Sequence, residues 1–166
     1  MTPEQRVLLI RRYASGPALL EVALASVPPA ARQWRPGPGK WSAHEVIVHC
    51  ADSESNAHMR LRYLVAEPEP LILGYNQDRW AEQLDYHAHP LEPALATVRA
   101  VRANTVPLLE RLTPAQWQRV GRHTEHPSYD VEKWLEIYAE HLEIHASQIG
   151  RNVAAWEKAS PGAEQR

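Results

Sequence analysis

The segment VEKWLEIYAEHLEIHASQIGRNVAAW, residues 131–156, has the helical periodicity that decides the fold. Its aromatic, apolar and imidazole side chains recur every three or four positions, which places them on one face of an α-helix. That face comprises Trp134, Tyr138, His141, His145, Ile149, Asn152 and Trp156. Asp130 precedes the segment and is a favourable N-cap residue. The sequence therefore predicts a long amphipathic helix from Val131 to about Trp156 that buries this face.

Three further long helices are predicted upstream of this segment. Thr2 and Ser42 each precede a helical pattern, and each has a Gln or Glu three residues later, as in a capping box. The predicted helices run from Pro3 to the Pro28-Pro29 pair, from Ala43 to about Val65, and over Leu91–Leu112. We expect a kink near Ser15, where Gly16-Pro17 interrupts the first helix, and a bend at Pro107 in the third.

Shorter elements should connect these helices. Gln77–Tyr86 is predicted to be a short helix and Thr113–Gln116 a capped turn, whereas Leu71–Leu73 is too short to assign as a strand. Arg119–Tyr129 is predicted to be a loop. Four amphipathic helices without a convincing strand predict an all-α four-helix bundle with short extra helices in its long connections. We expect one domain over residues 1–159 and a flexible C-terminal tail over residues 160–166.

Composition and charge exclude several classes of protein. The chain has 18 Lys+Arg against 20 Asp+Glu, and its net charge of −2 differs from the basic character of nucleic-acid-binding domains. The single Cys cannot form an internal disulfide. No stretch approaches the ~18 apolar residues that a membrane-spanning helix requires. We therefore expect a cytoplasmic protein that binds neither nucleic acid nor membranes.

His141 and His145 form an H-x-x-x-H pair on the predicted last helix. This spacing places both imidazoles on the same helix face, where they could bind one metal ion together. Leu142 follows His141, so the pair lacks the catalytic Glu found after the first His in zinc-protease helices. The alternative interpretation is that both are hydrogen-bonded core or surface histidines. A third ligand on another helix would favour the metal site.

His49 is the best candidate for that third ligand, because either it or Cys50 continues the inward-facing stripe of the predicted second helix. Asp52, Asn56 and Arg60 follow it at helical spacing and form a polar ridge along one side of this helix. Such a ridge is consistent either with a cleft beside His49 or with a solvated face.

The other histidines and the cysteine are less suited to ligate the same ion. His44 is five positions before His49, about 140° around the helix, and we expect it at the surface. Cys50 points about 100° away from His49 and is interpreted as a small buried apolar residue. His87 and His89 are expected in a solvated loop. Two more, His123 and His126, lie in a loop that could cover the metal site or form plain surface.

Four motifs occur in order along the chain: PGKWS (38–42), HCADSESNAHMRLR (49–62), GYNQDRWAEQL (74–84) and HLEIHASQI (141–149). This arrangement resembles the DinB-like superfamily and, within it, the YfiT-like branch of candidate metal-dependent hydrolases and bacillithiol S-transferases. The resemblance covers about residues 41–149. It implies a four-helix bundle with a long crossover connection and a homodimer. It also implies a divalent metal bound by His49, His141 and His145.

Three imidazole ligands would leave a coordination position open, as in catalytic rather than structural sites. Zinc or nickel would suit such ligands, and iron or cobalt would also be compatible. The branch resemblance favours an enzyme that activates a low-molecular-weight thiol for S-transfer. The alternatives are a hydrolase that uses an activated water and a metal-binding stress-response protein without turnover.

The residues expected to act on the substrate lie near the three histidines. Asp52, one turn from His49, is the candidate general base. The candidates for binding a small-molecule substrate are Asn56, Arg60, Tyr75 and Trp80.

Overall fold

The computed structural model describes residues 1–160, which form a bundle of four long helices. The long helices are α1 (Pro3–Ala25), α2 (Ala43–Ala66), α4 (Leu91–Glu110) and α6 (Val131–Ala159). The connections contain a 3-10 turn (Pro29–Ala31), β1 (Leu71–Ile72), α3 (Gln77–Gln83), α5 (Pro114–Trp117), β2 (Val120–His123) and β3 (Tyr129–Asp130). The predicted all-α four-helix bundle is confirmed.

The helices begin at the predicted capping residues. Both predicted capping boxes form, with the side chains of Thr2 and Ser42 accepting hydrogen bonds from backbone amides three residues later. The Asp130 side chain accepts a hydrogen bond from the backbone amide of Lys133 and caps α6. Pro17 lies inside α1, which continues through it as one helical element. These local hydrogen bonds satisfy amides that have no partner within the helix.

The order of packing explains the long connections. Both α1 and α2 pack against α4 and α6, so α1 and α2 lie at opposite corners of the bundle. The chain must therefore cross one end of the bundle between α1 and α2. The predicted crossover connection is confirmed.

Two apolar clusters fill the bundle and are separated by a polar layer. One cluster includes Leu20, Val46, Val98 and Leu142, and the other includes Tyr13, Leu61, Leu109 and Trp134. Between the two clusters, each long helix contributes one residue of a central polar layer, consisting of Gly16, Glu54, Arg102 and His141. The buried ion pair of Glu54 and Arg102 lies in this layer.

The connections contain a small sheet that the sequence analysis did not predict. In the described part of the chain, β1 pairs in parallel with β2, and β2 pairs antiparallel with β3. The prediction of a loop over Arg119–Tyr129 is therefore wrong for β2 and for Tyr129. Strands of two to four residues are too short to show an alternating pattern, and their partners are distant in sequence. At Gly121 a Cβ atom would lie 2.8 Å from the Leu64 side chain, so glycine permits this close packing.

The predicted tail lies largely outside the described residues. Ser160 is the C-cap of α6, and residues 161–166 are not described. The extent of the single domain, residues 1–159, stays a prediction. Within residues 1–160, none of the helices is long and apolar enough to cross a membrane.

Candidate metal centre

His49, His141 and His145 come together where α2 faces α6. One nitrogen of each imidazole can be chosen so that the three atoms lie within 4.8 Å of one another. The ring centroid of His49 is 5.7 Å from that of His141 and 4.8 Å from that of His145. Three nitrogens this close suit joint ligation of one ion.

The electrostatic environment keeps the imidazoles of His49 and His145 neutral. Burial, together with the neighbouring His145 and His141, lowers the pKa of His49 to about 2. Burial and His141 likewise lower the pKa of His145 to about 4. A neutral imidazole has the free lone pair that a metal requires.

His49 also has a buried polar atom without a partner. Its Nδ1 makes no hydrogen bond with any of residues 1–160, although the side chain is almost completely buried. An unpaired buried polar atom costs about 1–3 kcal/mol. A metal ion beside the ring is one group that could satisfy it, so this histidine fits a ligand role.

The other two rings are oriented by acceptors. The Nδ1 of His141 donates to Glu54 Oε1 at 2.9 Å, and the Nδ1 of His145 donates to Gln148 Oε1 at 2.9 Å. A proton on Nδ1 leaves the lone pair on Nε2, which is how metal-binding histidines are usually held. The donor set therefore fits a divalent ion.

Glu54 is a functional candidate that sequence reasoning missed. Although burial raises its pKa, Arg102 and the bond from His141 hold it below its ordinary value, so the carboxylate is charged. Glu54 is five positions from His49 on α2 and therefore points to a different side of the helix. No sequence signal linked it to His141, because the two residues meet only through packing of α2 on α6.

The predicted polar ridge of α2 is divided between different partners. Tyr86 Oη donates to Asp52 Oδ2 at 2.6 Å, and this bond orients the carboxylate of the candidate base. Asn56 Nδ2 donates to the backbone oxygen of Asp52 at 2.9 Å. Arg60 Nη1 donates to Tyr138 Oη at 3.0 Å. Arg60 lines a cavity that also contains His141.

A cavity of about 160 Å³ opens beside His141. Its lining includes Ser53, Arg60, Tyr75, His123, His126 and Tyr138. The Arg60 guanidinium lies 5.7 Å from the Tyr75 ring centroid. Trp80 contacts Tyr75 with ring centroids 4.4 Å apart but does not line this cavity. Arg60 and Tyr75 thus both line the cavity that opens beside His141.

A second, more open cavity of about 570 Å³ adjoins His145. It is lined by His145 and Gln148 of α6, by Trp41, and by the segment from Tyr75 to Asp78. Tyr75 lines both cavities. A mostly apolar cavity of about 450 Å³ between α1, α4 and α5 contains none of the three histidines.

The prediction that His44 lies at the surface is wrong. The side chain is buried, and its Nε2 is hydrogen-bonded to the backbone oxygen of His89 at 2.8 Å. His87 is half-buried and contacts Ser42 Oγ at 2.8 Å, so this turn covers the first turn of α2. Contacts of this kind between distant segments have no local sequence signal. His44 nevertheless lies outside the cluster, as its spacing from His49 predicted.

The interpretation of Cys50 agrees with its environment. The side chain is fully buried, and burial raises the pKa of its thiol well above the ordinary value. It belongs to an apolar cluster rather than to the histidine cluster.

The sequence matches the DinB superfamily over residues 12–149. The chain belongs to the DinB superfamily. The resemblance noted in the sequence is thus confirmed.

Two relatives have names that are relevant to the histidine cluster. A candidate metal-dependent hydrolase of Oceanobacillus iheyensis is 36% identical over 111 residues, which is 67% of this chain and 64% of that protein. The candidate metal-dependent hydrolase YfiT of Bacillus subtilis is 28% identical over 112 residues, 67% of this chain and 63% of that protein.

The match spans less than two thirds of the length of these DinB relatives. Solved structures show the same fold over more of the chain. YfiT from Bacillus subtilis, described as having an unusual four-helix bundle topology, superposes with a TM-score of 0.87 at 24% identity, covering 94% of this chain and 90% of that one. A mycothiol-dependent maleylpyruvate isomerase superposes with a TM-score of 0.70 at 15% identity, covering 90% and 61%.

Proposed function

We propose that this DinB protein is a divalent-metal-dependent enzyme that activates a low-molecular-weight thiol for transfer to an electrophilic small molecule. The observation that carries the proposal is the convergence of His49, His141 and His145, with ligand atoms within 4.8 Å of one another. Three protein ligands are typical of catalytic sites, whereas closed structural sites usually have four. The names of the relatives from Oceanobacillus iheyensis and Bacillus subtilis support metal dependence.

Zinc or nickel is the ion we propose for these ligands, with iron or cobalt as compatible substitutes, because all four bind imidazole. When bound, such an ion would acidify a thiol or a water molecule at its open coordination position. His49 and His145 are neutral, so these two side chains would not cancel the charge of the ion.

We assign substrate binding to Arg60 and Tyr75, which line the cavity beside His141. Two bonds, to Tyr138 Oη and to the backbone oxygen of Leu73, hold the Arg60 guanidinium in place. A guanidinium has five N–H donors, so further donors are available for a carbonyl or anionic oxygen of the substrate. Asn56 and Trp80 stay predictions as substrate contacts.

We assign the proton-accepting role to Asp52. The bond from Tyr86 engages Oδ2 and orients the carboxylate, and the residue is half-buried one turn from His49. A carboxylate has two oxygens, so Oδ1 could accept a proton from a thiol or water near the cluster.

The choice of a thiol over water is supported by the mycothiol-dependent isomerase that shares the fold. Hydrolysis by an activated water is a second candidate, because the relatives in sequence are named as candidate metal-dependent hydrolases. A homodimer and a cytoplasmic location belong to the same proposal, as in the expectations from the sequence.

The proposal predicts that His49→Ala loses activity while His44→Ala keeps it. Both are buried histidines on α2, but only His49 belongs to the cluster. We expect kcat/KM to fall at least about 100-fold for His49→Ala. Loss of a residue that only hydrogen-bonds to a metal ligand already lowers metal affinity or activity about 10–100-fold, and loss of a ligand itself should cost more. The assay uses untagged, zinc- or nickel-loaded protein with a panel of low-molecular-weight thiols and a chromogenic electrophile.

Equal rates for wild type and His49→Ala would contradict a catalytic metal. Hydrolysis of esters or amides without turnover of any thiol would replace S-transfer by the hydrolase candidate. A protein that binds metal but turns over neither class of substrate would support the non-catalytic metal-binding alternative.

A further inference from the structure

The central polar layer contains an ion pair that is completely enclosed by protein. Glu54 and Arg102 have 0% and 1% of their side-chain surfaces exposed. The two groups meet in a bidentate arrangement, since Arg102 Nε donates to Glu54 Oε2 at 3.0 Å and Nη2 donates to Glu54 Oε1 at 2.6 Å. This pair joins α2 to α4 between the two apolar clusters.

The surroundings hold Arg102 in one position. Its Nη1 donates to the backbone oxygen of Tyr13, and its Nη2 also donates to the backbone oxygen of Tyr138 at 2.9 Å. A Cβ atom at Gly16 would lie 2.5 Å from Arg102 Nη1, so the glycine leaves room for the guanidinium. Backbone groups of α1 and α6 thus fix the cation that faces Glu54.

Glu54 has a third partner, which is a member of the histidine cluster. Its Oε1 accepts from both Arg102 Nη2 and His141 Nδ1, the latter at 2.9 Å. The Glu54 carboxylate therefore binds the Nδ1 edge of the His141 ring and leaves Nε2 free. The Arg102 guanidinium in turn fixes the orientation of this carboxylate.

Stability alone does not explain this arrangement. Desolvation of two charges offsets most of their attraction, and apolar replacements of buried ion pairs are often equally stable or more stable. Carboxylate partners of metal-binding histidines, by contrast, fix the ring and increase its basicity, and their loss weakens metal binding about 10–100-fold.

We propose that Glu54 is a positioning residue for the metal centre, held by Arg102, that fixes His141 with Nε2 directed to the ion. The proposal rests on the metal site under the proposed function. It extends that site from three ligands to a five-residue unit that includes α4, which supplies none of the ligands.

The test is the zinc affinity of untagged Glu54→Gln, measured by competition with a chromophoric chelator. Glu45→Gln is the matched control, because Glu45 is also a buried glutamate on α2, is paired with Arg35 and lies near His87. We expect the dissociation constant to rise about 10–100-fold for Glu54→Gln. For Glu45→Gln we expect a change of less than about threefold, since Gln can also serve in its capping box.

A double variant covers the case in which Glu54→Gln does not fold because Arg102 lacks a counter-charge. Glu54→Gln/Arg102→Gln replaces the ion pair by two amides and should show the same loss of affinity. In both variants we expect an altered visible absorption spectrum of the cobalt-loaded protein, since a change in His141 geometry changes the ligand field.

The outcomes separate this proposal from the proposed function. Wild-type zinc affinity and an unchanged cobalt spectrum in either folded variant would mean that the pair is only structural, which overturns the inference and leaves the metal site intact. Failure of the wild type itself to bind zinc, nickel or cobalt would overturn both.

Discussion

Replacing His145 with alanine is expected to abolish stable metal binding. The substitution removes one of three ligands and leaves His49 and His141, whose ring centroids are 5.7 Å apart. The free energy of zinc binding to structural sites with four ligands is about 10–16 kcal/mol, or roughly 3 kcal/mol for each ligand. One lost ligand therefore weakens binding by at least about 100-fold. Titration calorimetry with zinc on untagged protein measures this loss.

Cys50→Ala is the control for this experiment. Cys50 follows His49 on α2 and is fully buried, but it lies outside the histidine cluster. We expect this variant to bind zinc as the wild type does. Loss of zinc binding in Cys50→Ala, or retention of it in His145→Ala, would show that the ligands are assigned incorrectly.

Replacing Arg102 with methionine is expected to lower the free energy of unfolding by about 3–5 kcal/mol. Methionine fills much of the space, but it leaves the Glu54 carboxylate buried without its cation. It also removes the donors to the backbone oxygens of Tyr13 and Tyr138. Urea denaturation of the metal-free protein gives the size of this effect.

Arg99→Met is the matched control on the same helix. Arg99 forms ion pairs with Glu21 and Glu92, and its side chain is 43% exposed. Exposed pairs contribute about 0–1 kcal/mol, so this variant should unfold near the wild-type urea concentration. Similar losses in the two variants would contradict a special role for the central polar layer.

The parts of the structure that could be predicted from sequence are those with a local signal. The capping boxes at Thr2 and Ser42 depend on residues three positions apart, and they mark helix starts correctly. The juxtaposition of His141 and His145 follows from their spacing on one helix. The stripe on α2 left His49 and Cys50 as alternatives, because every residue from Ala43 to Ala51 is buried, and the family motif selected His49.

The parts that could not be predicted depend on contacts between distant segments. Glu54 lies on a side of α2 that spacing from His49 places away from the cluster, and only packing against α4 and α6 gives it Arg102 and His141 as partners. His44 is covered by the turn at His89, which no local pattern predicts. The short strands β1 and β2 likewise depend on pairing between remote residues.

The metal content of the native protein tests the central claim most directly. The protein is purified without a His-tag or chelator, analysed by elemental mass spectrometry, and then offered zinc and nickel after dialysis. Because His49, His141 and His145 present their ligand atoms together, the account predicts one divalent ion per chain, or uptake of one equivalent on addition. A protein that is isolated without metal and also fails to bind zinc or nickel would contradict it.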